Sequence, residues 1–207
     1  MRVFLLDLMT LSVINKKEEI TDQTYLVTDA EADAIESALA KGCKIKGENG
    51  NLVISSVRPS EYYDFNEEKW QWELNQERYD THTKETRNLL WENVKKKRET
   101  IMVSGVYVKS IGKYFHTDPV SQISYTRAKE YLTLKPDESI NWKTMDGSFV
   151  LLDSKKLDDV IIGIFEYCQK IYAAAEVHKS KIFSLNLDNG LLEYDINLGW
   201  PKSDNER

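Results

Sequence analysis

Short apolar runs broken by turn residues dominate the first 75 positions. Residues 3–6 are rich in strand formers, a polar stretch follows at 15–22, and Tyr25, Leu26 and Val27 resume the apolar pattern. Thr28-Asp29-Ala30-Glu31 then has the form of a capping box, in which the threonine hydroxyl accepts from the backbone near Glu31 and the glutamate reaches back. Ala32, Ile35 and Leu39 share one face of the helix this opens, and Gly42 offers the positive φ that ends it. Asn49-Gly50, between Ile45 and Leu52-Val53-Ile54, predicts a tight hairpin. Arg58-Pro59 breaks the strand, and YYDFNEEKWQWEL alternates aromatic and polar residues around Asn66-Glu67, which predicts one more.

Positions 76–98 differ. They carry no Gly or Pro, and Leu90, Trp91 and Val94, joined by Ile101, make only a narrow apolar stripe on a charged helix. From position 99 the strand pattern returns: Ile101-Met102-Val103, then Val106 to Val108, then Tyr114-Phe115. Asp118 and Pro119 open a helix running to about Leu134, and Asp146-Gly147 joins two alternating strands in INWKTMDGSFVLL. Asp153 caps a long helix whose apolar positions, Leu157, Val160, Ile161, Ile164, Phe165, Cys168, Ile171, Ala175 and Ile182, recur at three and four. The expectation is an α+β protein of two small domains, each with short antiparallel hairpins packed on helix. Its divisions are an N-terminal module over 1–75, a polar helical linker over 76–98, a C-terminal domain over 99–185 and an extension over 186–207 with a polar tail.

Composition narrows the partners. Among 207 residues, 28 basic side chains face 34 acidic ones for a net charge of −6, against the clustered positive charge that nucleic acid or an anionic membrane requires. A 41% hydrophobic share with 30% charged residues is that of a globular chain. Cys43 and Cys168 make neither a disulfide framework nor a metal-ligand spacing. The opening run has one basic residue and an acidic break at Asp7, unlike a signal peptide, and no apolar run approaches the roughly 20 residues of a membrane span. These features predict a soluble protein of a reducing compartment with no membrane insertion.

Catalytic patterns are weak. His82, His116 and His178 lack metal-ligand spacing, and His116-Thr117-Asp118 reads as a turn with a capping aspartate rather than as an oriented base. Cys168 reads as a small core residue, and Asp188-Asn189-Gly190 as a turn rather than part of a calcium loop. Lys95-Lys96-Lys97-Arg98 reads as a solvated helix face. The expectation is therefore no catalytic residue, no metal site, no cofactor and no nucleic-acid partner. What stands out is aromatic side chains in polar surroundings: Tyr62, Tyr63, Phe65, Trp70 and Trp72. Tyr and Trp anchor protein interfaces, so Tyr62, Tyr63, Trp70 and Trp72 are the candidate partner-binding residues, and Trp70→Ala or Trp72→Ala is expected to harm binding more than folding. The competing reading places alternate members on the hairpin's core face.

The second half carries an ordered series: Trp91 with Lys97-Arg98, Gly105-Val106, Phe115 with Thr117-Asp118, Ser121-Gln122, Trp142-Lys143-Thr144 with Asp146-Gly147, and the 149–152 strand feeding the long helix. In these features residues 91–182 resemble a domain of unknown biochemical function common in bacteriophage and prophage tail fibre assembly-like proteins. The strand, the SALAKG helix, the Asn-Gly hairpin and YDFNEEKWQWE look like the N-terminal module of phage tail fibre assembly proteins; residues 183–207 have no counterpart. The resemblance implies a chaperone, not an enzyme, that binds the C-terminal tip of a trimeric tail fibre protein and assists its folding and trimerisation in the host cytoplasm. The alternative is a structural virion component retained at the fibre tip or baseplate and touching the host surface.

Overall fold

The computed structural model describes residues 2–6, 8–13 and 23–202; the polar stretch at 15–22, the break at Asp7 and the tail over 203–207 lie outside them. The chain is α+β and divides into two compact units, Met1–Thr81 and His82–Arg207.

In the first unit β1 (Arg2–Leu5) lies between β2 (Thr10–Val13) and β3 (Thr24–Leu26), antiparallel to both. Phe4, opposite Leu11 and Tyr25, points into a core shared with Ile35 and Ile45. Helix α1 (Asp29–Ala40) starts as its sequence predicts: Thr28 N donates to Glu31 Oε2 at 2.7 Å and Glu31 N to Thr28 Oγ1 at 3.3 Å. Gly42, at φ +74°, ends it, and Cys43 N turns back onto Ala38 O at 2.9 Å. Strands β4 (Ile45–Glu48) and β5 (Asn51–Ile54) meet through Asn49 and Gly50, both at positive φ as a tight hairpin turn requires. A second hairpin, β6 (Tyr63–Asn66) with β7 (Gln71–Leu74), leads into α2 (Gln76–Met102), whose first turn is held by Asn75 Oδ1 accepting from Arg78 N at 3.0 Å.

The boundary between the units falls within α2, and that helix corrects one expectation. Residues 101 and 102, read as strand, continue α2 because Ile101 and Met102 pack on the second unit's core; Ser104 then closes the end with its hydroxyl on Ile101 O. Core packing outweighs local β propensity here.

The second unit holds β8 (Val106–Val108) paired with β9 (Lys113–Phe115), α3 (Pro119–Leu134), the hairpin β10 (Ile140–Lys143) and β11 (Phe149–Leu152), and α4 (Ser154–Ser184). Asp118 Oδ1 accepts from Val120 N and Ser121 N, and Asp153 Oδ1 from Lys156 N, so both predicted caps form. Leu157, Val160, Ile164 and Ile171 carry the core-facing side of α4 onto Phe115, Tyr125, Leu132 and Leu152. Phe165, expected on that side, is instead 64% exposed; it lies at the edge of a stripe too broad for the core to cover.

A second core forms where residues 185–200 lie across α2 and α4. Leu191 is wholly buried among Val94, Ala175 and Ile182, with Tyr194, Ile196 and Trp200 around it. Arg87 Nε and Nη2 both donate to Leu185 O, at 2.9 and 2.6 Å. His178 is enclosed there, with Nδ1 2.7 Å from the Tyr194 hydroxyl and its ring stacked on Trp200 at 5.0 Å. Burial holds its imidazole below the ordinary value of 6.5. Below that value the unfolded chain takes up a proton that the native imidazole refuses, so stability is full above about pH 6.5 and falls on acidification. Urea unfolding at about pH 7.5 and about pH 5.5 is expected to show this loss, and His178→Asn to flatten it.

Candidate functional site

The β6–β7 hairpin gathers the aromatic cluster. Tyr63, Phe65, Trp72 and Leu74 share one face, because Phe65 opposes Trp72 and Tyr63 opposes Leu74. Phe65 meets Trp70 edge-on at 4.9 Å and Trp72 at 5.0 Å, so the two indoles flank one phenyl ring. Trp70 sits at φ +51°, and Lys46 Nζ lies 4.7 Å from its ring centroid. Trp72 Nε1 donates to Ser56 O at 2.9 Å, and the Arg58 guanidinium lies 5.6 Å from its ring. Both tryptophans and Tyr63 are half-buried; Tyr62 is buried against Tyr79 at 5.6 Å. The structure therefore brings Tyr63, Trp70 and Trp72 to one partly exposed surface and places Tyr62 beneath it. Lys46 and Arg58, both missed from the sequence, add positive charge over the rings; no spacing links them to the tryptophans.

The other face of the hairpin is polar and tightly paired. Lys69 Nζ at 2.7 Å, then Asn66 and Gln71, hold Glu73 down to about 2. Arg78 joins Asp64 at 3.1 Å and Glu61 O at 2.8 Å.

In the second unit, the ordered motif residues converge although they lie far apart in sequence. Gly105 N donates to Thr117 Oγ1 at 3.0 Å, Gln122 Nε2 to Thr117 O at 2.7 Å and Met145 N to Tyr114 O at 3.1 Å. Trp142 stacks on Tyr125 at 4.6 Å, and the Tyr125 hydroxyl donates to His116 O at 3.1 Å, with burial pushing that phenol up to about 12. Asp146 accepts from Lys113 Nζ at 2.6 Å, Thr144 Oγ1 at 2.6 Å and Ser148 N at 3.0 Å; the lysine is the largest reason its carboxyl lies far below the usual range. These residues build the turn and the packing around it. Beside them opens a cleft of about 520 Å³, lined by His116, Ser121, Ser124, Trp142 and Lys143 among others.

Gly105 shows how tight this junction is. It lies at φ +92°, and a Cβ there would meet Met145 Sδ at 2.2 Å and Phe115 O at 3.1 Å. Gly105→Ala is expected to lower stability by about 1–3 kcal/mol, read by urea unfolding.

A family model described as a domain of unknown function (DUF4376) matches residues 85–197, more than half of the chain. The protein belongs to the DUF4376 family. The DUF4376 match takes in every motif residue named above in the second unit, together with Leu191 and Tyr194 of the segment over α2 and α4. No curated protein and no solved structure matches the chain.

Elsewhere the DUF4376 unit carries its histidines and cysteine apart. His116 is exposed at the cleft rim, His178 is enclosed in the second core, and Cys168 is half-buried with its thiol pushed up by burial. Asn186 and Asn189 close the 186–191 turn through Asn186 N on Asn189 Oδ1 at 2.6 Å. Among the described residues, no group of three or more His, Cys, Asp and Glu side chains is placed to hold a metal ion, and no helix is long and apolar enough to cross a membrane. Some large apolar side chains are exposed: Phe149 and Leu151 project from the outer face of β10–β11, and Ile162, Phe165 and Tyr172 line an exposed strip of α4.

Proposed function

We propose that this protein is an assembly chaperone for a trimeric, β-rich phage tail fibre, holding the fibre's C-terminal tip while its strands remain unpaired. The resemblance of residues 91–182 to tail fibre assembly-like proteins supplies the partner class. The observation that carries the binding mode is the outer face of β10–β11, where Phe149 and Leu151 are exposed on a two-stranded hairpin, each strand of which pairs on one side only among the described residues. An intertwined β trimer folds slowly and exposes strand edges before it closes. Apolar surface beside free strand edges matches such an intermediate, and preferential binding to it is sufficient, with no bond made or broken. Tyr63, Trp70 and Trp72 form the second contact, rigid aromatic surface with Lys46 and Arg58 above it, while Tyr62 supports the hairpin from beneath.

Co-expression with the cognate fibre tests this. The soluble fibre trimer is expected to rise with the protein present, a complex to co-purify, and Phe149→Ser with Leu151→Ser to weaken that complex while leaving the melting temperature unchanged. An unchanged trimer yield with no complex would reject the reading. Trp72→Ala is expected to lose more binding than melting temperature; equal loss of both would assign the indole to internal packing alone. Stoichiometric copies in purified particles would mark a component retained in the virion.

A further inference from the structure

We infer that the protein self-associates as an antiparallel pair through the outer face of α3. Val120, Ile123, Tyr131 and Leu134 stand exposed along this helix, the first and last at 73% and 82%, while Tyr125 and Leu132 bury the opposite face. At 100° per residue the four fall within a stripe about 80° wide, with Arg127 at its midpoint. Their spacing is symmetric about that residue: Val120 and Leu134 lie seven positions away on either side, Ile123 and Tyr131 four.

A twofold axis through Arg127 therefore sets Val120 against Leu134 of a second copy and Ile123 against Tyr131, a small side chain against a larger one at every apolar level. The charges match the same operation. Glu130 lies one turn from Arg127 on the flank of the stripe, and neither side chain makes an ion pair or hydrogen bond among the described residues. Across the axis each guanidinium has the other copy's Glu130 within reach, which offsets the approach of the two arginines. A parallel pair, or an unrelated helix, would leave this arrangement without counterpart.

The face is short. Sixteen residues span about 24 Å, so one helix pair falls near the small end of specific interfaces, and the dimer is expected to dissociate on dilution through the micromolar range.

Sedimentation equilibrium of the full chain without fibre, from micromolar to near-millimolar concentration, is expected to show a monomer–dimer equilibrium. Ile123→Glu is expected to raise the dissociation constant at least about tenfold while the melting temperature holds, since the site is exposed in the monomer. Arg127→Cys fixes the geometry: mild oxidation is expected to link it to itself, whereas Val120→Cys, about 21 Å from its own copy at 1.5 Å per residue, stays unlinked. A monomer at every concentration overturns the inference. So does a dimer indifferent to Ile123→Glu, or linkage through Val120→Cys, which would signify a parallel pair. If the chain stays monomeric and Ile123→Glu weakens fibre capture instead, the face belongs to the fibre and the pair does not exist.

Discussion

Phe115→Ala is expected to lower the stability of the second unit by about 3–5 kcal/mol, the largest effect of any single truncation in that core. Phe115 is fully buried on β9, opposite Val106, with its ring 6.4 Å from that of Tyr125. The cost of such a change depends on how far the neighbours collapse into the space left behind, and here they are pinned. Tyr125 is clamped between its hydroxyl bond to His116 O and its stack on Trp142. The strand itself is tied to the next hairpin through Met145 N on Tyr114 O. The cavity therefore persists. Urea unfolding gives the loss directly, and Phe115→Leu is expected to recover much of it; a change under about 1 kcal/mol for the alanine would mean that the junction relaxes freely.

Leu191→Ala is expected to cost about 2–5 kcal/mol and to act on a definite place. Leu191 is the only wholly buried side chain that residues 186–200 contribute among the described residues, and it fills the space between Val94 of α2 and Ala175 and Ile182 of α4. Without it the segment keeps Trp200, whose Nε1 bonds to Ile196 O at 2.8 Å, and the His178–Tyr194 contact. Hydrogen exchange is expected to show early loss of protection over 186–200, ahead of β8–β11. Uniform loss across the whole unit would mean that the two cores melt as one.

Local chemistry made several elements legible. A threonine and a glutamate three apart, an Asp-Pro pair and an Asn-Gly pair each satisfy backbone groups within a few residues, so α1, α3 and the β4–β5 turn lie where their sequences place them. Elements settled by distant packing were less legible. Ile101 and Met102 look like strand until a core is present to hold them in α2, and Thr10–Val13 alternates polar and apolar over four residues only, too short a run to mark a strand, although it pairs along all of β1. The 186–200 segment hides its apolar residues for another reason. Leu191, Tyr194, Ile196 and Trp200 are irregularly spaced, because a segment without regular structure has no period to reveal.

The candidate sites divide in the same way. The aromatic cluster was visible as composition, and the hairpin then put Tyr63 and Trp72 on one face as period two requires. The Lys46 and Arg58 cations over those rings come from other segments and left no local signal. The motif series was visible only as an order along the chain. Its hydrogen bonds, Gly105 to Thr117 and Gln122 back to Thr117, show why the residue types matter together: each satisfies a buried backbone or side-chain group that the fold would otherwise strand.

The second core also sets a timetable. Arg87 and Leu185 are 98 positions apart, and Val94 waits on a leucine almost as distant. While the ribosome is still making the chain, the seam of α2 that carries Val94 must stay wet through the synthesis of every element of the first core, and it is covered only after the whole of α4 has emerged. A chain truncated shortly after position 184 would thus present a finished β8–β11 and α3 beside an open apolar gutter, a natural target for cellular holding factors.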